Sequence, residues 1–153
     1  MSSFVDEEHV RGLVHSSGLE VLPAEFAQLA FHYLENHFPI QSMATTSIID
    51  WENVRYKTLD WANSTDDEAA LWAKGTLAGK CTLALLVYSE TVASVLGPFE
   101  LMIRNLDTLI WKAPGCRLLL GVERSEDGTL IFTDGIIETD GKGRLFASQA
   151  VQV

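Results

Sequence analysis

The carboxy-terminal end of the chain, from residue 117 onward, constrains the fold most. Three apolar runs, residues 117–123, 129–133 and slightly beyond, and 144–148, are separated by Asp127-Gly128, Asp134-Gly135 and Asp140-Gly141. Glycine reaches the positive φ angles of tight turns at no steric cost and aspartate tolerates them, so such pairs between apolar runs specify hairpins. The region therefore reads as an antiparallel β-meander.

The rest of the chain is patterned differently. Residues 6–15 place Val10, Leu13 and Val14 on one stripe, with Asp6, Glu7 and Glu8 near the positive end of a helix dipole, and Gly18 breaks the pattern. Pro23 suits the start of a second helix, in which Phe26, Leu29, Ala30, Tyr33 and Leu34 recur at helical spacing until Pro39. Residues 42–47 are mostly small and polar and read as a loop. In residues 47–62, Ile48, Trp51, Val54, Thr58 and Trp61 make a helical stripe; Val54, Tyr56 and Thr58 suit a strand as well, and helix is the preferred reading.

Asn63-Ser64-Thr65-Asp66-Asp67-Glu68 is a helix start, because its side chains can cap free N–H groups and its carboxylates favour the positive dipole end. That helix runs through Leu71, Trp72 and Leu77. Residues 82–89 read as a buried strand, Gly97-Pro98 as a break, and Phe99, Met102, Ile103, Leu106, Leu109 and Ile110 as a helix ending near residues 112–115. The expected fold is α+β: a helical amino-terminal half packed on a carboxy-terminal antiparallel β-meander sheet, in a single globular domain over 1–153. A chain of 153 residues can bury a sizeable core without disulfide or metal staples.

Charge narrows the partners. The formal net charge is −10, and residues 1–50 alone hold seven carboxylates against one cation, Arg11. Nucleic-acid affinity rests on lysine and arginine displacing counterions from phosphate, so binding of DNA, RNA or an anionic membrane surface is not expected. No apolar run approaches the roughly 18 residues of a membrane span. An acidic amino terminus is unlike a signal peptide, and Cys81 and Cys116 sit in apolar company as two expected buried thiols, so the expected compartment is the cytoplasm.

No catalytic residue, cofactor site or metal site emerges from the pattern. His32 and His37 are five residues apart, whereas a helical zinc pair needs four, and they read as helix-surface or cap residues. Gly141-Lys142-Gly143-Arg144 lacks phosphate-loop spacing, and there is no Gly-x-Ser-x-Gly elbow. Trp51, Trp61 and Trp72 fall in one acid-rich window. At least two of them are expected to close the core; the candidate partner-binding set is Asp50, Glu52, Asp60, Trp61, Asp66, Asp67 and Glu68.

In size, charge and lack of catalytic motifs the chain is similar in physical type to small bacterial toxin-immunity proteins. That implies a non-catalytic inhibitor that neutralises a basic protein partner such as a toxin. An acidic secretion chaperone, and a small enzyme or ligand-binding domain with a dispersed pocket, are the alternatives, and a homodimer stays open. Fold-level likeness does not choose among these.

Overall fold

In the computed structural model, which describes residues 19–40, 48–90, 93–110, 118–139 and 143–149, the elements in chain order are β1 (Glu20–Leu22), α1 (Ala24–His37), β2 (Tyr56–Asp60), α2 (Asp66–Lys74), β3 (Leu83–Val87), β4 (Ser94–Pro98), α3 (Phe99–Arg104), α4 (Leu106–Ile110), β5 (Leu118–Arg124), β6 (Leu130–Thr139) and β7 (Arg144–Ser148). The strands form one sheet in the order β1-β4-β3-β5-β6-β7-β2, and every neighbouring pair is antiparallel. The fold is therefore mixed α+β, and β5, β6 and β7 are the expected meander. The amino-terminal half supplies α1 and α2, and also the two edge strands β1 and β2.

Central strands are apolar on both faces, so both faces must be covered. Ala84, Leu86, Leu119, Ile137, Leu145 and Ala147 point to one side, beneath Ala69 and Ala73 of α2, Met102 and Ile103 of α3, and Leu106 and Leu109 of α4. Leu85, Val87, Leu96, Leu118, Leu120 and Ile136 point to the other, beneath Ala27, Ala30 and Leu34 of α1 and Ile48, Ile49 and Trp51. Each large side chain buried this way contributes about 1.5–3 kcal/mol.

The expected helix over 47–62 is not present. Trp51 opens a three-residue 3-10 turn, and the chain then runs into β2, which pairs with β7 from Tyr56↔Ser148 to Asp60↔Arg144. The presumed single stripe is divided between two faces: Trp51 packs with Tyr56 and Phe146 on the α1 side, whereas Leu59 and Trp61 pack on the α2 side. Period alone cannot register that division. The helix starting at Asn63 begins as expected but ends at Lys74 rather than near Leu77, and a second 3-10 turn follows at Ala78–Lys80. The helix expected over 99–110 is interrupted at Asn105, whose side-chain amide and backbone N–H both donate to the Leu101 carbonyl.

Asp127-Gly128 is a tight turn, with Gly128 at φ 88° and the Gly128 N–H donating to the Ser125 carbonyl. Its carboxylate accepts from the Ser125 hydroxyl and the Thr129 N–H, which hold the Asp127 carboxyl down at about 2. Asp134-Gly135, read above as another turn, lies inside β6. There the register slips, from Leu120↔Ile136 to Val122↔Phe132, so the pair forms a bulge rather than a reversal. The Thr133 hydroxyl secures it by donating to the Gly121 carbonyl at 2.7 Å and accepting from the Gly135 N–H at 3.2 Å. Strands β1 and β4 were not anticipated. The readings at residues 6–15, 42–47, Asp140-Gly141, 112–115, Trp111 and Cys116 lie outside the described residues.

The bulge is a seat for the Ala78–Lys80 turn. A Cβ on Gly135 would lie 2.4 Å from the Ala78 nitrogen, so only glycine allows this approach. Gly135→Ala is expected to cost about 1–3 kcal/mol through overpacking. Gly75→Ala is the control, because Gly75 sits at φ −83° and its nearest neighbour, the flexible Lys57 Nζ, would be 3.4 Å away. That change should be neutral or stabilising by up to about 1 kcal/mol. Paired thermal melts check both.

Candidate functional site

The start of α2 is built from its own sequence. The Thr65 hydroxyl accepts from the Glu68 N–H at 3.1 Å and the Glu68 carboxylate accepts from the Thr65 N–H at 2.9 Å, a reciprocal cap that satisfies two orphan donors. Just upstream, the 3-10 turn Trp61–Asn63 is tied down by Asn63, whose amide donates to the Asp60 carboxylate at 2.8 Å, and by Ser64, whose hydroxyl donates to the Asp60 carbonyl at 2.8 Å. Trp61 thereby rests half-buried against the α2-side core. Its surroundings form a cleft of 350 Å³ lined by Trp61, Ala62, Ser64, Asp66, Asp107 and Gly143.

The seven expected partner-binding residues do not form one patch. Asp60, Trp61, Asp66, Asp67 and Glu68 gather where β2 runs into α2. Asp50 and Glu52 flank Trp51, whose indole is packed on the α1 side of the sheet. Several of the carboxylates already have internal work. Asp50 accepts from the Asn53 amide at 2.7 Å, Glu68 serves the cap, and Asp67 receives the Arg104 guanidinium at 2.7 Å, an α2–α3 tie that holds Arg104 above its ordinary value.

Two contributors escaped the sequence reading. Asp107 on α4 reaches the cleft only through tertiary packing. Leu71 is 75% exposed, three and four residues beyond Glu68 and Asp67 on α2 and three before Lys74. Its sequence signal was ordinary, since it fitted the helix stripe.

A third residue positions the Trp51 turn. Glu138 is fully buried, and its carboxylate accepts from the Ile48 N–H at 3.0 Å and the Trp51 indole N–H at 2.9 Å. Burial raises its carboxyl above the ordinary value and outweighs these donors, which act to lower it. Of the tryptophans, Trp51 is buried, whereas Trp61 and Trp72 are half-buried against the opposite core.

Beside a cleft of 240 Å³ at the end of α1, the His37 Nδ1–H donates to the Tyr33 carbonyl, and the Ser148 hydroxyl donates to the Asp134 carbonyl at 2.6 Å while accepting from the Ile136 N–H. The His37 Nδ1–H and the Ser148 hydroxyl proton are thus both committed to backbone carbonyls. The Tyr33 phenol, pushed up by burial and by donating to Asp134 at 2.6 Å, is held protonated. Cys81 is half-buried rather than buried, because it borders a cleft of 270 Å³ where its Sγ lies 3.5 Å from the Thr133 hydroxyl. Among the described residues no three metal-ligating side chains converge, and no helix is long and apolar enough to cross a membrane. No protein family, curated protein or solved structure matches the chain.

Removing Glu138 tests its role. Glu138→Ala strands two buried donors and should cost on the order of 2–4 kcal/mol, seen as a drop in Tm. Because the folded state binds the Glu138 proton more tightly than the unfolded chain, its contribution is fully present below about pH 4.5 and is lost as pH rises through the raised folded value. The stability difference between wild type and Glu138→Gln should therefore shrink with rising pH across that window and level off above it. Denaturant titrations over the acid range check the slope.

Proposed function

We propose that the chain is a non-catalytic protein-binding domain of the immunity or inhibitor type, and that the face around the start of α2 receives a basic protein partner in the cytoplasm. The observation that carries this reading is Leu71, exposed three and four residues after Glu68 and Asp67 on a helix whose first residue, Asp66, lines a cleft with Asp107 and Trp61. An exposed apolar anchor with a charged surround has the anatomy of an interface core and its rim. The net charge of −10 would steer a cationic partner and repel acidic competitors.

Asp67 and Glu68 are poor probes, since Arg104 and the helix cap depend on them. Leu71 is exposed, so Leu71→Ala should leave stability within about 0.5 kcal/mol, whereas Asp66→Lys puts a cation at the first turn of α2 near Arg104 and should cost about 1 kcal/mol, small enough to leave the protein folded. Asp66→Lys combined with Leu71→Ala is expected to weaken capture of a basic protein from the native host by about tenfold or more, with the wild-type complex released by salt. Unchanged association, or indifference to salt, would sink the reading.

A further inference from the structure

The cleft of 240 Å³ at the end of α1 lies where β7 stops and β2 starts, and groups of both signs line it. Asp134 comes from the β6 bulge. The Tyr33 phenol donates to its Oδ1 at 2.6 Å and the Ser148 hydroxyl to its backbone carbonyl at 2.6 Å, so the residue is held from two sides while Oδ2 accepts nothing among the described residues. His37 closes α1, its ring stacked on Tyr33 with centroids 3.9 Å apart. A carbonyl can only accept, so the Nδ1 that meets the Tyr33 carbonyl at 2.9 Å carries the proton, and Nε2 of the neutral ring is an acceptor. Arg55, just before β2, is exposed. Its carbonyl accepts from the Gln149 N–H, whereas no ion pair or hydrogen bond engages its guanidinium among the described residues.

The neighbouring charges are committed elsewhere. Asp50 takes the Asn53 amide at 2.7 Å, Lys57 leans over the Trp72 ring on the α2 side, and Arg144 lies at the other end of β7 with its guanidinium over Phe146. Arg55 and Asp134 border one cleft yet form no ion pair with each other. A simple anion there meets Asp134 and a simple cation meets Arg55; a ligand carrying an ammonium and a carboxylate satisfies both. Two acceptors, Asp134 Oδ2 and His37 Nε2, suit the three donors of a primary ammonium, and a guanidinium suits a carboxylate. Phe38, Val54 and Leu77 add apolar lining. We propose that this cleft binds a small zwitterion of the α-amino-acid class, its ammonium towards Asp134 and His37 and its carboxylate towards Arg55. The cleft shares no residue with the one at the start of α2, so this site stands independently of the acidic-face reading above.

The test titrates the whole, isotope-labelled protein with L-leucine and with two analogues, 4-methylpentanoate, which lacks the ammonium, and 3-methylbutylamine, which lacks the carboxylate. L-Leucine should bind with a Kd of about 1 mM and shift the NMR resonances of His37, Arg55 and Asp134, and each analogue should bind at least about tenfold more weakly. Arg55→Gln and Asp134→Asn should each weaken L-leucine by at least about tenfold with Tm unchanged, because both side chains are exposed and the new amide still accepts from Tyr33. No shift at these three residues by about 20 mM L-leucine overturns the site. An analogue that binds as tightly as L-leucine overturns the zwitterion, since one charge then suffices. Undiminished binding by either folded variant overturns it as well, and the comparison of ligands on the wild type needs neither variant.

Discussion

A sheet that is apolar on both faces can be stable in water only when each face is covered, and here that requirement organises the whole chain. Leu83–Val87 and Leu118–Arg124 form the centre, where side chains of alternate residues enter separate cores. Among the described residues three helices lie over one core and α1 over the other, a single cylinder about 10 Å across and narrower than seven strands. Ile48, Ile49 and Trp51 pack into the same core, and a segment with so little regular structure needs another source of order. Glu138 supplies it from beneath, and the ties of Ile49 to Ile40 and of the Asp50 N–H to the Pro39 carbonyl supply it from the end of α1. A buried carboxylate is costly in isolation, but it is one of the few groups able to accept several donors from an irregular backbone at once.

The meander, α1 and the start of α2 were legible because their signals are local: turn glycines, a helical stripe, and a cap whose members lie three residues apart. The elements that were missed are defined by tertiary demand. Gly97 and Pro98 look like breakers, yet Gly97 lies in β4 because a Cβ there would meet the Leu19 side chain at 2.3 Å, and Pro98 sits at the strand's end. Asp134-Gly135 has hairpin chemistry and is used instead to bend β6 around the Ala78 turn. Residues 48–61 scatter their aromatic side chains over both faces, so any single period misreads them. The candidate site divides in the same way: acidity before α2 was visible in sequence, whereas Asp107 and the exposure of Leu71 depend on which helices neighbour α2.

The location of the acidic face follows from what a cluster of carboxylates costs. Asp66, Asp67 and Glu68 repel one another, and in mid-helix that repulsion would be uncompensated. At the first turn of α2 the free N–H groups and the dipole favour negative charge, the cap uses Glu68, and Arg104 meets Asp67 from a neighbouring helix. The fold thus concentrates charge where its own backbone stabilises it.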